Sequence, residues 1–408
     1  MVRTTGLFGG HRWSQAIQWG VCTALLHRLL LTLWMPLVWI VGNTGLSPTF
    51  HDAADPILPL SSNAEKLIFG VWRRWDAIHY FNLTLNGYRM SDPGPTVFGA
   101  LTPLGFRLFD TLLPGGVDLA AMVFSTAAFA LALTFLYRLV ETYYDDASLA
   151  RWSVVITALL PLSYYFAAPM SESIYLAMIL ATFFFATRRQ WWAAAIAGIL
   201  ATLARSQGVL MVAIVGLFLL QDHPVRTWPR SLPAMIGRGL PLTGGLVAFV
   251  GFELWRVNIG LPPLQETYRH FSYVYVTNPI DGLLTNLSWA VHNPTDTLTN
   301  VDMWALFISL GLALAMLRFP KHRRLPLIAF TCGYALLFTG KINYLWGTDT
   351  VIYTQSYARY ALSLFPLTVL VADRIRHLPQ IPRLLCIALL LLAVLFFSGL
   401  HALGFGPA

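Results

Sequence analysis

Leu384–Leu403 reads LLCIALLLLAVLFFSGLHAL, twenty residues without a charge. An α-helix rises about 1.5 Å per residue, so roughly 20 apolar residues cross the hydrocarbon layer of a bilayer. A helix apolar on every side has no face to offer water, and this stretch therefore decides the class. Ten further runs of the same kind lie at approximately 24–44, 117–138, 152–168, 172–187, 190–205, 207–221, 239–257, 303–318, 325–340 and 360–373. Together they predict an all-α, polytopic membrane protein of about eleven spans, a single domain over residues 1–408. Composition agrees: 56% of residues are hydrophobic and 11% charged, against about 25% charged in an ordinary soluble domain. The first run is too long for a signal-peptide core and lacks a small-residue cleavage site, so it reads as a retained anchor.

The formal net charge is +8, but the 27 Lys and Arg are scattered in pairs between apolar runs, with no basic helix or tail. That pattern speaks for membrane topology and against nucleic acid. With the N-terminus inside, sixteen of the 27 fall on the cytoplasmic side, among them Arg3, Arg138, Arg226, Arg230, Arg324 and Arg376, as the positive-inside rule requires. The outer side then owns the long loops, 45–116, 258–302 and 341–359. They carry Asp52, Asp55, Glu65, Asp76, Asp92, Asp110, Glu266, Asp281, Asp296, Asp302 and Asp349. Chemistry is expected there, away from cytoplasmic nucleotides, and no GxxxxGK[ST] or GxGxxG stands in a usable context. Cys22, Cys332 and Cys386 sit in or beside apolar runs without CxxC spacing, which offers neither a disulfide framework nor a metal knuckle.

Within the first outer loop, Trp72–Tyr88 reads WRRWDAIHYFNLTLNGY. Asp76 opens a short amphipathic helix with Ile78, Phe81 and Leu85 on one face and Gly87 as its stop, lying along the membrane surface. The carboxylate admits two readings: an N-cap, or a general base that takes a proton from a hydroxyl. His79, one turn on, could assist that base, help hold a cation, or do neither. The stretch from Phe98 to Pro114 is broken by Pro103, Gly105, Arg107 and Asp110 and reads as a second interfacial or re-entrant piece.

Arg205, in LARSQG, and Arg359, in SYARYALSLFP, sit where apolar helix meets the outer surface. A guanidinium there suits a lipid phosphate, which it grips bidentately, or any headgroup to which it snorkels. Lys341 and Tyr344, in GKINYLWG, are weaker candidates of the same kind. Glu172 starts a helix that it could cap together with Ser171, and Glu253 with Arg256 at i+3 reads as an intramembrane ion pair. Asn82-Leu83-Thr84 and Asn286-Leu287-Ser288 match a glycosylation pattern that is common by chance.

Four stretches in order resemble the PIG-V-like mannosyltransferases, whose membrane fold is of GT-C type. They are WRRWDAIHYFNLTLNGY, FGALTPLGFRLF at Phe98–Phe109, the block PMSESIY…LARSQGVL at Pro169–Leu210, and YARYALSLFPL at Tyr357–Leu367. Two features depart from that pattern. The second block is poorer in Phe and Pro, and the family's Arg-Pro is here Arg205-Ser206. The resemblance implies inverting transfer of a hexose, mannose by the family pattern, from a polyprenyl- or dolichyl-phosphate sugar to a hydroxyl of a lipid or glycan acceptor. It makes Asp76 the base and aligns Glu172, Arg205 and Arg359 with polar positions of the cavity. One Asp plus Arg is chemically adequate for this, no cofactor is certain, and a divalent cation such as Mg or Mn could take part of the arginine role.

A transporter or lipid flippase is the alternative; it predicts mid-membrane ionisable residues and two matching halves with broken helices, and the two halves do not echo each other. A non-catalytic scaffold would explain the topology but not an Asp-His pair on an interfacial helix. The tail GFGPA bears no KDEL-like or dilysine signal, which favours a bacterial inner membrane over the endoplasmic reticulum.

Overall fold

The computed structural model describes residues 10–42, 60, 62–222, 233, 236–271, 274–344 and 352–405. Arg3, Asp52, Asp55, Arg226, Arg230 and Asp349 lie outside the described residues. The chain forms α1 (Gly10–Gly42), α2 (Asn63–Ile68), α3 (Asp76–Asn86), α4 (Leu101–Leu112), α5 (Gly116–Tyr144), α6 (Ala147–Ala158), α7 (Glu172–Thr187), α8 (Trp191–Ala204) and α9 (Met211–Asp222). There follow α10 (Gly244–Asn258), α11 (Leu264–Phe271), β1 (Val274–Val276), α12 (Pro279–His292), α13 (Pro294–Thr299), α14 (Val301–Arg318) and α15 (Leu325–Thr339). The last elements are β2 (Lys341–Asn343), α16 (Tyr357–Ala361), α17 (Phe365–Arg376) and α18 (Gln380–Ala402).

Each of the eleven apolar runs contains helix, and the protein is an all-α membrane protein. Five helical stretches are long and apolar enough to cross a bilayer: Arg12–Gly42, Gly116–Tyr144, Ile236–Asn258, Val301–Arg318 and Gln380–Ala402. The other six runs are shorter helices. The run at 152–168 stops as a helix at Ala158 because Pro161 follows, since proline disfavours helix at the residue before it and clashes with the preceding turn. The buried turn Ser163–Phe166 comes next. The run at 360–373 divides into α16 and α17. The first run starts earlier than its apolar residues suggest, α1 continuing back through Arg12, Gln15 and Gln18.

Short helices are tolerated where protein rather than lipid surrounds them. α7 is the central case: it is apolar around its circumference, and every residue from Glu172 to Phe184 is buried. It packs against α5 and α8, and α5 in turn packs against α1, α4 and α6. Asp146 caps α6 through Leu149 N at 2.9 Å and pairs with Arg376 at 2.8 Å and Lys321 at 3.3 Å. These bonds tie the α5–α6 turn to the α14–α15 turn and to the end of α17.

One feature is not helical. β1 and β2 pair antiparallel, with Val274 opposite Asn343 and Val276 opposite Lys341. The ribbon joins the second and third outer loops and brings Lys341 to the site.

Candidate active site

Asp76 is the first residue of α3, and the N-cap position belongs to Trp75, whose backbone is left-handed (φ 52°). No side chain caps the helix, so the carboxylate is not spent on the cap reading. It turns instead to Arg359. The Arg359 guanidinium donates from Nη1 to Asp76 Oδ2 and from Nε to Glu172 Oε1. Arg205 Nη1 donates to the same Glu172 oxygen at 2.8 Å. The order Asp76, Arg359, Glu172, Arg205 therefore forms one chain of ion pairs joining α3, α16, α7 and the exit of α8. Side-chain exposure along it is 30% for Asp76, 6% for Arg359, 3% for Glu172 and 13% for Arg205. Asp76 is its open end.

Local sequence explains the convergence. At Gly99 a Cβ would collide with the carbonyls of Leu203 and Ala204, and at Gly208 with the backbone of Ala201 and Thr202. FGALTPL and LARSQGVL thus pack backbone to backbone, which only glycine permits. Arg205 leaves α8 with extended backbone (φ −152°) and lies 5.0 Å from the Tyr360 ring, while Arg359 lies 5.2 Å from the Tyr165 ring. Each contact is within cation–π range. Along α3 the buried residues are Ala77, Tyr80, Phe81, Leu83 and Thr84 rather than the Ile78–Phe81–Leu85 stripe, with Leu85 exposed. The helix is buried on the side that carries Tyr80 into the site. Gly87 ends it at φ 71°, as expected.

A cavity of about 170 Å³ opens on Asp76, with Arg205, Lys341, Tyr80, Tyr268 and Tyr360 among its walls. Lys341 Nζ donates to the Tyr268 hydroxyl at 3.2 Å and lies 4.5 Å from that ring. A second cavity of about 610 Å³, largely apolar, shares Ser206, Gln207, Tyr268 and Lys341 with the first and continues between Leu210, Phe249, Leu264 and Leu337. Lys341 and Tyr268 thus stand where a polar chamber meets an apolar groove.

Burial pushes the Asp76 carboxyl up. Arg359, by charge and by hydrogen bond, together with His79 and Arg205, outweighs burial and holds it below the ordinary carboxylate range. Asp76 is therefore ionised at neutral pH. Burial pushes the Lys341 ammonium down, but Tyr268 and Tyr360 more than offset it, so Lys341 stays a cation. Three cations against two carboxylates leave the centre net positive, which suits an anionic ligand.

The structure therefore brings together Asp76, Glu172, Arg205, Lys341 and Arg359. Arg359 bonds two carboxylates through Nε and Nη1, while its Nη2 is buried without a partner among the described residues. His79 is exposed and stacks on Phe98 at 5.8 Å, and Tyr344 packs on Tyr275 at 6.1 Å rather than at the cavity wall. Tyr80, Tyr268, Tyr360 and Gln207 were not singled out from the sequence; Tyr360 stood beside Arg359 in YARYALSLFPL and was the one with a local signal. The Glu253–Arg256 pair forms at 2.7 Å, with Arg256 fully buried and also donating to Thr96 and Thr267. For a divalent cation the fit is poor: the guanidinium of Arg359 fills the gap between Asp76 and Glu172, and among the described residues no three His, Cys, Asp or Glu side chains converge.

No protein-family model matches the sequence. Among curated proteins, GPI mannosyltransferase 2 of Schizosaccharomyces pombe is 28% identical over 210 residues, a match covering 48% of this chain and 42% of that protein. The chain is thus similar to a mannosyltransferase over less than half of that protein's length.

Proposed function

We propose that the chain is a membrane mannosyltransferase of PIG-V-like, GT-C type, with about eleven spans and its site on the non-cytoplasmic face. In this reading a polyprenyl- or dolichyl-phosphate sugar lays its lipid along the apolar groove and its phosphate near Lys341 and Arg205. The sugar occupies the polar chamber among Tyr80, Tyr268 and Tyr360, whose rings and hydroxyls suit a hexose. The acceptor is a hydroxyl of a lipid-linked or glycan substrate, as the name of the yeast relative suggests.

The step is a single displacement with inversion. The acceptor oxygen bonds to C1 of the sugar, the bond from C1 to the phosphate oxygen breaks, and the lipid phosphate leaves with the electron pair. The hydroxyl proton goes to Asp76. A carboxylate held low by Arg359 is a weak base toward a free alcohol. It becomes adequate once the forming bond to C1 makes that hydroxyl strongly acidic. Lys341 and Arg205 neutralise the leaving phosphate.

The observation that carries the reading is Asp76 itself: freed from capping, ionised, and set on the wall of a cationic chamber that opens into an apolar groove. The test is reconstitution in liposomes with polyprenyl-phosphate mannose and candidate lipid acceptors. Asp76→Asn is expected to lower kcat by about 10²–10⁴-fold, the usual worth of a general base. Unchanged transfer would remove Asp76 from the chemistry. No transfer from any polyprenyl-linked sugar, with solute flux across sealed vesicles, would mean a transporter.

A further inference from the structure

The segment ahead of Arg359 is irregular up to Ser356 and enters α16 at Tyr357, and four of its backbone N–H groups are taken by side chains from three other elements. Thr354 N–H donates to Asn286 Oδ1 on α12 at 2.9 Å, and Gln355 N–H to Asn343 Oδ1 on β2 at 3.2 Å. Asp302, in the first turn of α14, accepts from Ser356 N at 2.7 Å with Oδ2 and from Ala358 N at 2.8 Å with Oδ1. Ser356 is left-handed (φ 63°), a conformation that costs a residue other than glycine about 1–3 kcal/mol and persists where its surroundings over-determine it. Asp302 and Asn286 are both fully buried, and neither is among the cavity walls. Burial of Asn286 also removes it as a glycosylation site in the folded protein.

We infer that Asp302 is a positioning residue. By gripping the backbone on both sides of Tyr357, it fixes where the Arg359 guanidinium sits between Asp76 and Glu172. It thereby fixes the charge and aim of Asp76. Both carboxylate oxygens are used, and their two partners are the last backbone donors before Arg359 apart from Tyr357. An apolar side chain at 302 would leave two buried N–H groups without acceptors and free Ser356 to leave its left-handed conformation. The inference rests on the reading of Asp76 as the base.

The test pairs kinetics with amide hydrogen exchange on the full-length protein in nanodiscs, comparing wild type, Asp302→Ala, Asp302→Asn and Asn286→Ala. Asp302→Ala is expected to lower kcat about 10²-fold, the scale of a misplacement near 1 Å, with KM for the donor unchanged. Its acid limb of kcat should move to higher pH as Arg359 loosens from Asp76, leaving the Arg205 guanidinium, shared with Glu172, and the His79 ring to oppose burial of that carboxylate. Exchange at Ser356 and Ala358 should accelerate in Asp302→Ala. Asp302→Asn, which keeps the shape and one acceptor, should fall between it and wild type and serves if Asp302→Ala does not fold. Asn286→Ala should release Thr354 while leaving Ser356 and Ala358 protected. An unchanged kcat and acid limb, or a rise in KM alone, would overturn the positioning role. If wild type transfers no sugar, the proposed reaction falls, and unchanged protection at Ser356 and Ala358 would by itself sink the strap.

Discussion

Arg359→Gln removes the guanidinium that bonds both Asp76 and Glu172, with separate consequences for stability and for chemistry. Arg359 is 6% exposed and Glu172 3%. Removing one partner of a buried ion pair costs about 3–5 kcal/mol, because the other charge is left uncompensated. Glu172 keeps Arg205 at 2.8 Å, and Asp76 is 30% exposed and can turn to water, so the lower end, about 3 kcal/mol, is expected. The chemistry follows from sign. In wild type the cations hold the Asp76 carboxyl below its ordinary value although burial pushes it up. Its ion pair therefore contributes fully at neutral pH and is lost only as pH falls through that depressed value. Without Arg359 burial gains the upper hand, Asp76 binds its proton at higher pH, and the acid limb of kcat/KM moves upward. The assay is a pH profile of mannosyl transfer with denaturation curves for Arg359→Gln, Asp76→Asn and the double variant. The double variant should lose less stability than the two single losses added, by about 1–3 kcal/mol, since neighbours in one network couple. Strict additivity together with an unmoved acid limb would refute the assignment of Arg359 as the residue that sets the charge of Asp76.

Leu337→Trp should fill part of the apolar groove of about 610 Å³, raising KM for a long-chain polyprenyl donor while sparing a donor with a short isoprenoid; equal effects on both would disconnect the groove from the lipid. Asp146→Ala should cost about 1 kcal/mol as a lost N-cap plus its pairs with Arg376 and Lys321. Burial raises the Asp146 carboxyl, but Arg376, Leu149 N and Lys321 bring it down to about 2. The difference in stability from wild type should therefore be full above the ordinary value near 3.9 and shrink as pH falls toward about 2, measured by denaturation across that range.

The class of the fold and the existence of its helices were legible because both depend on local composition. LLCIALLLLAVLFFSGLHAL can hardly be other than a lipid-facing helix. Lengths were less legible: Pro161 marks the end of α6, but α7 can be short because protein encloses it, and enclosure is a tertiary fact. The charged members of the site were visible as ionisable residues stranded between apolar runs, since such residues are expensive there and need a partner. Their partners were not visible. Nothing near Asp76 announces Arg359, and nothing near Arg359 announces the two carboxylates that it bonds. Tyr268 and the ribbon that carries Lys341 depend on pairing between loops some 70 residues apart, which alternation over three residues cannot signal.

The hydrogen bond between Asp76 and Arg359 spans 283 positions of the chain. At a synthesis rate of about 5–20 residues per second, roughly 15 to 55 seconds separate the emergence of the two side chains from the ribosome. Over that interval the chain makes α4 to α15, Glu172 and Arg205 among them, before the guanidinium that bonds Asp76 exists. The ion-pair chain from Asp76 to Arg205 is therefore completed by its last-made member, Arg359. A chain released before residue 359 would carry Asp76, Glu172 and Arg205 but not the guanidinium that joins the first two.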